Sequence, residues 1–203
     1  MPELKQPAKS AHQVQLRFVA LVLIIGFSRH LPLSHPEWSN FSPVLALFLL
    51  SGMHLRGFWS WTTPVCAVLV TDLIINPSYG LSLLEPFMLV TILCYFLVFL
   101  LGKSFSGSRS LGRLVGGGIL GALLFHFLTC GFAWFINPAY AKSLSGFIQA
   151  LTVGEPGYAP AYLFLRNTMI STIFFTAVLG WIALRWKEPI TRTIGDTRPA
   201  ETS

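Results

Sequence analysis

Charge is scarce in this chain. Only 11% of its 203 residues are Asp, Glu, Lys or Arg, against about 25% in a soluble domain. Low charge with long apolar runs excludes an ordinary soluble globule and reads as a polytopic membrane protein. Cysteine is scarce too: Cys66, Cys94 and Cys130 all fall inside apolar stretches. Without metal-ligand spacing they support neither a metal site nor a disulfide framework, and such cysteines act as small hydrophobes. No G-x-S-x-G, H-E-x-x-H, Cys-x-x-Cys or Walker sequence is present. The reading is therefore of a protein that is not an enzyme and needs no cofactor. Internal repeats are missing, and with them the inverted-repeat sign of many secondary transporters.

What the chain has is apolar length: 53% of it is hydrophobic, and its mean hydropathy is +0.64. A span needs about 20 mostly apolar residues. Six candidates follow, at about 14–31, 41–55, 60–76, 83–102, 111–136 and 160–186. The second is short enough to be tilted, broken or re-entrant. The fold class expected is all-α, a six-helix transmembrane bundle over 12–186. Polar tails at 1–11 and 187–203 read as disordered and cytoplasmic. Leu144, Phe147, Ile148 and Leu151 recur at helical spacing in the loop before the last span, which predicts a short amphipathic surface helix.

The net charge of +6 is not a nucleic-acid signal, because the basic residues sit in short loops between apolar runs. With six spans, eleven of the 14 Lys and Arg residues fall on one side, leaving Arg29, Lys142 and Arg166 on the other. The positive-inside rule then places both termini in the cytoplasm of a multi-pass inner (plasma) membrane protein. No A-x-A site follows the first apolar run, where Ser28, Arg29, His30 and Leu31 stand, so that run reads as a retained span.

This topology puts most polar groups in the outer third of the bilayer. Ionisable side chains inside a span are costly and turn toward the bundle interior or a cavity. Asp72 is the costliest here, with Arg29 and Arg166 as possible partners. The expected site is a pocket open to the outside, lined by Arg29, Asn40, Asp72, Asn137 and Asn167. The bland alternative is that Arg29 and Arg166 snorkel, Asn40 and Ser42 cap a helix before Pro43, and Asn137 ends one. His126, alone among apolar neighbours in LLFHFLTC, reads as a hydrogen-bonded packing residue. A proton-coupled reading would require Asp72, Glu85 and His126 to share a cavity. In SLGRLVGGGILGALLF, Gly112, Gly116, Gly117 and Gly121 form two overlapping G-x-x-x-G spacings. Small faces let helices approach, either within the bundle or toward a partner.

The segments SRHLP (28–32), NFSPVLAL (40–47), PVCAVLVTD (64–72) and FLRNT (164–168) occur in this order. They resemble an uncharacterised family of bacterial integral membrane proteins with NFSP, a third-span aspartate and a late RNT. In size and six-helix layout that family is similar to the substrate-binding S components of energy-coupling-factor vitamin transporters. The resemblance implies capture of a vitamin or related small molecule from outside. It also implies a partner membrane subunit and two cytoplasmic ATPases, with Arg29, Asn40, Asp72 and Asn167 as the matching polar positions. The competing expectation is a non-catalytic membrane scaffold docked through the glycine face of the fifth span.

Overall fold

The computed structural model describes residues 9–30, 35–78, 80, 86–108 and 110–186. Among them the chain is helical, without strands. The long helices are α1 (Lys9–Phe27), α2 (Val44–His54), α3 (Trp59–Ser78), α4 (Pro86–Ser104), α5 (Leu111–Ile136) and α7 (Ala161–Trp186). A short α6 (Leu144–Leu151) and two 3-10 turns, Ser28–His30 and Pro36–Trp38, complete the described structure. Each expected apolar segment is thus a helix. Both expected tails, apart from residues 9–11 in α1, lie outside the described residues, as does Glu85.

The expectation of six spans is corrected to three. Among the described residues, only Phe87–Ser104, Leu111–Ile136 and Ala161–Arg185 are long and apolar enough to cross a membrane. The reasons differ for the other three helices. In α1 the apolar part runs only from Gln15 to Gly26. Helix α3 is long, but Pro64, Pro77 and a series of Ser, Thr, Asp and Asn side chains dilute its hydropathy. Helix α2 has 11 residues, about 16 Å at the helical rise, roughly half the hydrocarbon thickness.

Helix α2 is neither broken nor lipid-facing. Every residue from Val44 to Met53 is buried. A helix that is apolar all round belongs inside a structure, not at its edge. Both hydrophobic clusters form around it: Leu47 and Leu50 meet Val22, Leu114 and Leu179, while Phe48 and Leu49 meet Val68, Val98 and Phe99. Close backbone approach holds it there. A Cβ on Gly52 would stand 2.3 Å from the Phe99 carbonyl oxygen, and one on Gly102 only 2.0 Å from that of Leu49. Only glycine fits at either position.

The three long apolar helices pack antiparallel in chain order. Gly121 and Gly117 of α5 face Val98 and Phe105, on α4 and just past its end, and Gly118 faces Thr172 and Thr176 of α7. Their outer faces expose large apolar side chains, including Leu89, Leu120, Phe127 and Phe174. Apolar surface of that extent marks a membrane or partner contact.

The glycine face is corrected in part. Gly117 and Gly121 are buried against Phe105 and Val98 within the bundle, so that pair is not a docking face. Gly112 and Gly116 lie on the exposed side, and nothing stands within 4 Å of a Cβ on Gly116. The two G-x-x-x-G spacings are therefore two faces of one helix, one internal and one open.

A candidate pocket around the Arg29–Asp72 pair

Helix α1 ends at Phe27, and the following 3-10 turn carries Arg29 toward α3. Gly26 permits this, since its missing Cβ would lie 3.0 Å from that of Ala67. The Arg29 Nη1 then sits 2.8 Å from the Asp72 carboxylate. It also donates to Thr71 Oγ1 at 2.7 Å and to the Val68 carbonyl at 3.3 Å. The two side chains are only 16% and 14% exposed. Charges so removed from water persist only when paired and hydrogen-bonded.

The pair forms one end of a cavity of about 530 Å³ between α3 and α4. Asn76 and Thr91 join it there, while Phe48 and Trp61 line the other end and Tyr95 lies between. Phe48 and Tyr95 are stacked, with centroids 4.8 Å apart. Trp61 stands edge-on to Phe96 and Phe99 of α4, so it closes the base where α3 and α4 meet. The volume lies within the range of about 300–1,000 Å³ usual for small-molecule sites.

The five expected ligand-binding residues do not converge on this cavity. Arg29 and Asp72 line it together. Asn40 lines a second cavity of about 500 Å³ between α4, α5 and α7, with His126, Cys130, Tyr140, Glu155 and Thr168. Phe87 borders both cavities. Asn137 and Asn167 are engaged in holding loops. Asn137 Nδ2 donates to Glu155 at 2.7 Å, and its Oδ1 accepts from the Ala139 N–H at 2.9 Å. Buried Asn167 donates to the Glu37 and Ser39 carbonyls at 3.0 and 2.8 Å. Its own oxygen accepts from Arg166, which is thus turned away from Asp72.

The NFSP segment is not the side-chain cap the sequence suggests. Pro43 is the N-cap of α2 and supplies no side-chain bond. The Ser42 hydroxyl accepts only a long 3.4 Å contact from the Val44 N–H. Asn40 instead takes the left-handed backbone conformation, φ 64°, which Asn tolerates better than most residues. That turn follows the Glu37 and Ser39 carbonyls that Asn167 holds. The RNT segment therefore clamps the turn that immediately precedes NFSP.

His126 has a structural partner, as the sequence suggests. Its Nε2 lies 2.8 Å from the Leu151 carbonyl oxygen, which can only accept, so Nε2 carries the proton. Nδ1 faces the Cys130 thiol at 3.6 Å. This bond ties α6 down onto α5. Helix α6 is where the helical spacing predicts it, capped by Ser143. It packs through Gly146 and Ala150 and leaves Leu144 and Ile148 outward. Beneath it, burial and then Glu155 raise the Tyr140 phenol above its usual range, so Tyr140 stays neutral. Asp72 and His126 line different cavities, which removes the shared site a proton-coupled reading requires. Phe48, Trp61 and Tyr95 line the first cavity without a sign in the sequence, because aromatics in an apolar run carry no local mark of lining a cavity. No group of three or more His, Cys, Asp or Glu able to hold a metal ion occurs among the described residues.

The chain belongs to a family of unknown function, DUF6580, whose profile matches residues 9–191. No curated protein and no solved structure matches it.

Proposed function

We propose that the protein is a membrane-embedded small-molecule-binding subunit without chemistry of its own. One observation carries the reading: a buried Arg29–Asp72 pair faces a roomy, aromatic-walled cavity instead of a packed core. Stability alone is a weak reason to keep a buried ion pair, since replacement by apolar residues is often neutral or stabilising. A pair placed at the end of an open cavity can orient a ligand.

The uptake part of the reading, with a partner subunit and cytoplasmic ATPases, rests on the resemblance in layout to vitamin-transporter S components. The placement of the cavity toward the outer side rests on the Lys and Arg beside the three crossing helices: Lys103, Arg109, Arg113, Arg185 and Lys187 flank one end of them, Lys142 and Arg166 the other.

The test is mass spectrometry of whatever is released when protein purified in mild detergent is denatured. A stoichiometric compound, depleted in Asp72→Asn, supports the reading. Folded protein that carries nothing, and whose melting temperature ignores a broad metabolite panel, overturns it.

A further inference from the structure

Three properties of the Arg29–Asp72 cavity bear on what it binds. The first is length. Trp61 and Asn76 mark its two ends on α3, and their separation in sequence spans about 22 Å of helix. The second is a polarity gradient: Arg29, Asp72 and Asn76 stand at one end, Phe48 and Trp61 at the other, with Tyr95 between them within reach of both charges. The third is the side opening. Leu69 of α3 and Ile92 of α4 line the cavity yet remain 46% and 45% exposed. The surface continues from them into Leu73, Leu89 and Leu93, all apolar and exposed. Helix α4 is one of the three able to cross a membrane, so the Ile92 side of this rim faces hydrocarbon, and the exposed Leu69 and Leu73 of α3 continue that apolar surface.

We infer that the cavity takes an uncharged single-chain amphiphile directly from the bilayer, sideways between α3 and α4. The inference rests on the ligand-site reading above and adds the ligand's class and route. The head lies at the ion pair, which offers a donor in Arg29 and an acceptor in Asp72 but no net charge. An anionic head meets repulsion from Asp72, and a cationic head from Arg29. The chain runs from the ion pair past the opening between Leu69 and Ile92 toward Trp61.

The experiment places the full-length protein in phosphatidylcholine nanodiscs and adds a monoacylglycerol with a brominated chain. Bromine quenches indole fluorescence on contact, and native mass spectrometry counts bound copies. The expected result is saturable quenching with one probe bound. Affinity should fall about tenfold in Ile92→Phe, which narrows the mouth, and in Asp72→Asn. Leu120→Phe, on the exposed face of α5, should bind as the wild type does. In the wild type alone, the brominated fatty acid should bind about tenfold more weakly, a comparison that needs no variant to fold. Equal binding in all three variants, or equal binding of the anionic probe, overturns the inference as mere lipid contact. If the probe fails to bind while a water-soluble compound is released from wild type and lost in Asp72→Asn, the amphiphile is overturned and the ligand site stands.

Discussion

The choice of partner for Asp72 is the residue-scale fact on which the cavity depends. Two arginines were candidates, and the structure joins Asp72 to Arg29 at 2.8 Å. Arg166 is bound to Asn167 instead. Removing one member of such a buried pair strands the other charge, at about 3–5 kcal/mol. Asp72→Ala should therefore lower the melting temperature in detergent sharply. The double variant Asp72→Leu with Arg29→Met should recover much of the loss while abolishing ligand binding. A double variant no more stable than the single would show that the pair does more than balance charge. Asn167 gives a second residue-scale expectation. Asn167→Ala leaves the Glu37 and Ser39 carbonyls without their donor, at about 1–3 kcal/mol. Limited proteolysis should then cut within 35–42 sooner than in wild type. Asn167→Asp should behave likewise, because a carboxylate supplies no donor. The need of Asp72 for a cation is legible in the sequence, since a carboxylate in an apolar run must be paired. Which arginine answers it is not, because both lie far from it in the chain.

Glycine positions decide matters at the scale of the element. Gly52 and Gly102 let α2 and α4 touch backbone to backbone, and a carbonyl cannot move aside as a flexible side chain can. Gly102→Ala should destabilise by about 3 kcal/mol or more, beyond the usual cost of overpacking of about 1–3 kcal/mol. Gly116→Ala should be neutral or stabilising by up to about 1 kcal/mol, since alanine favours helix and the space is open. Thermal melting of the two variants, followed by size-exclusion chromatography, compares them directly. A tolerant Gly102 would contradict the close approach. The sequence marks the glycines of α5 more loudly, because three stand together. It says little of Gly52 and Gly102, single glycines in separate apolar runs. The spacing of Gly112 and Gly116, or of Gly117 and Gly121, places each pair on one face. It does not say which face turns inward.

For the whole molecule, the antiparallel order of α4, α5 and α7 makes a prediction about sidedness. The turn carrying Ser106 lies at one end of these helices and α6 at the other. With Cys66 replaced by Ser, Ser106→Cys and Ser145→Cys should react with an impermeant thiol reagent from opposite sides of sealed vesicles. Reaction from the same side would mean that α5 does not cross. Ligand binding should appear at this scale as well. An occupant at about 100 times its dissociation constant raises stability by about 2.7 kcal/mol, an increment that Asp72→Asn should lose.

The amino-acid sequence by itself determined the helical class, the places of the helices and the small surface helix before the last span. These follow from apolar length and period, which act within a few turns of chain. It did not determine how many helices cross. Short α2 reads as a weak span until its burial on every side shows it to be the centre of the packing. Nor did it determine which polar residues share a cavity: Arg29 and Asp72 do, Asn40 lines another, and Asn137 and Asn167 hold loops. Such assignments depend on the rotation and depth at which one helix settles against the next. Contacts between residues distant in the chain set that rotation, so only the tertiary structure could decide it.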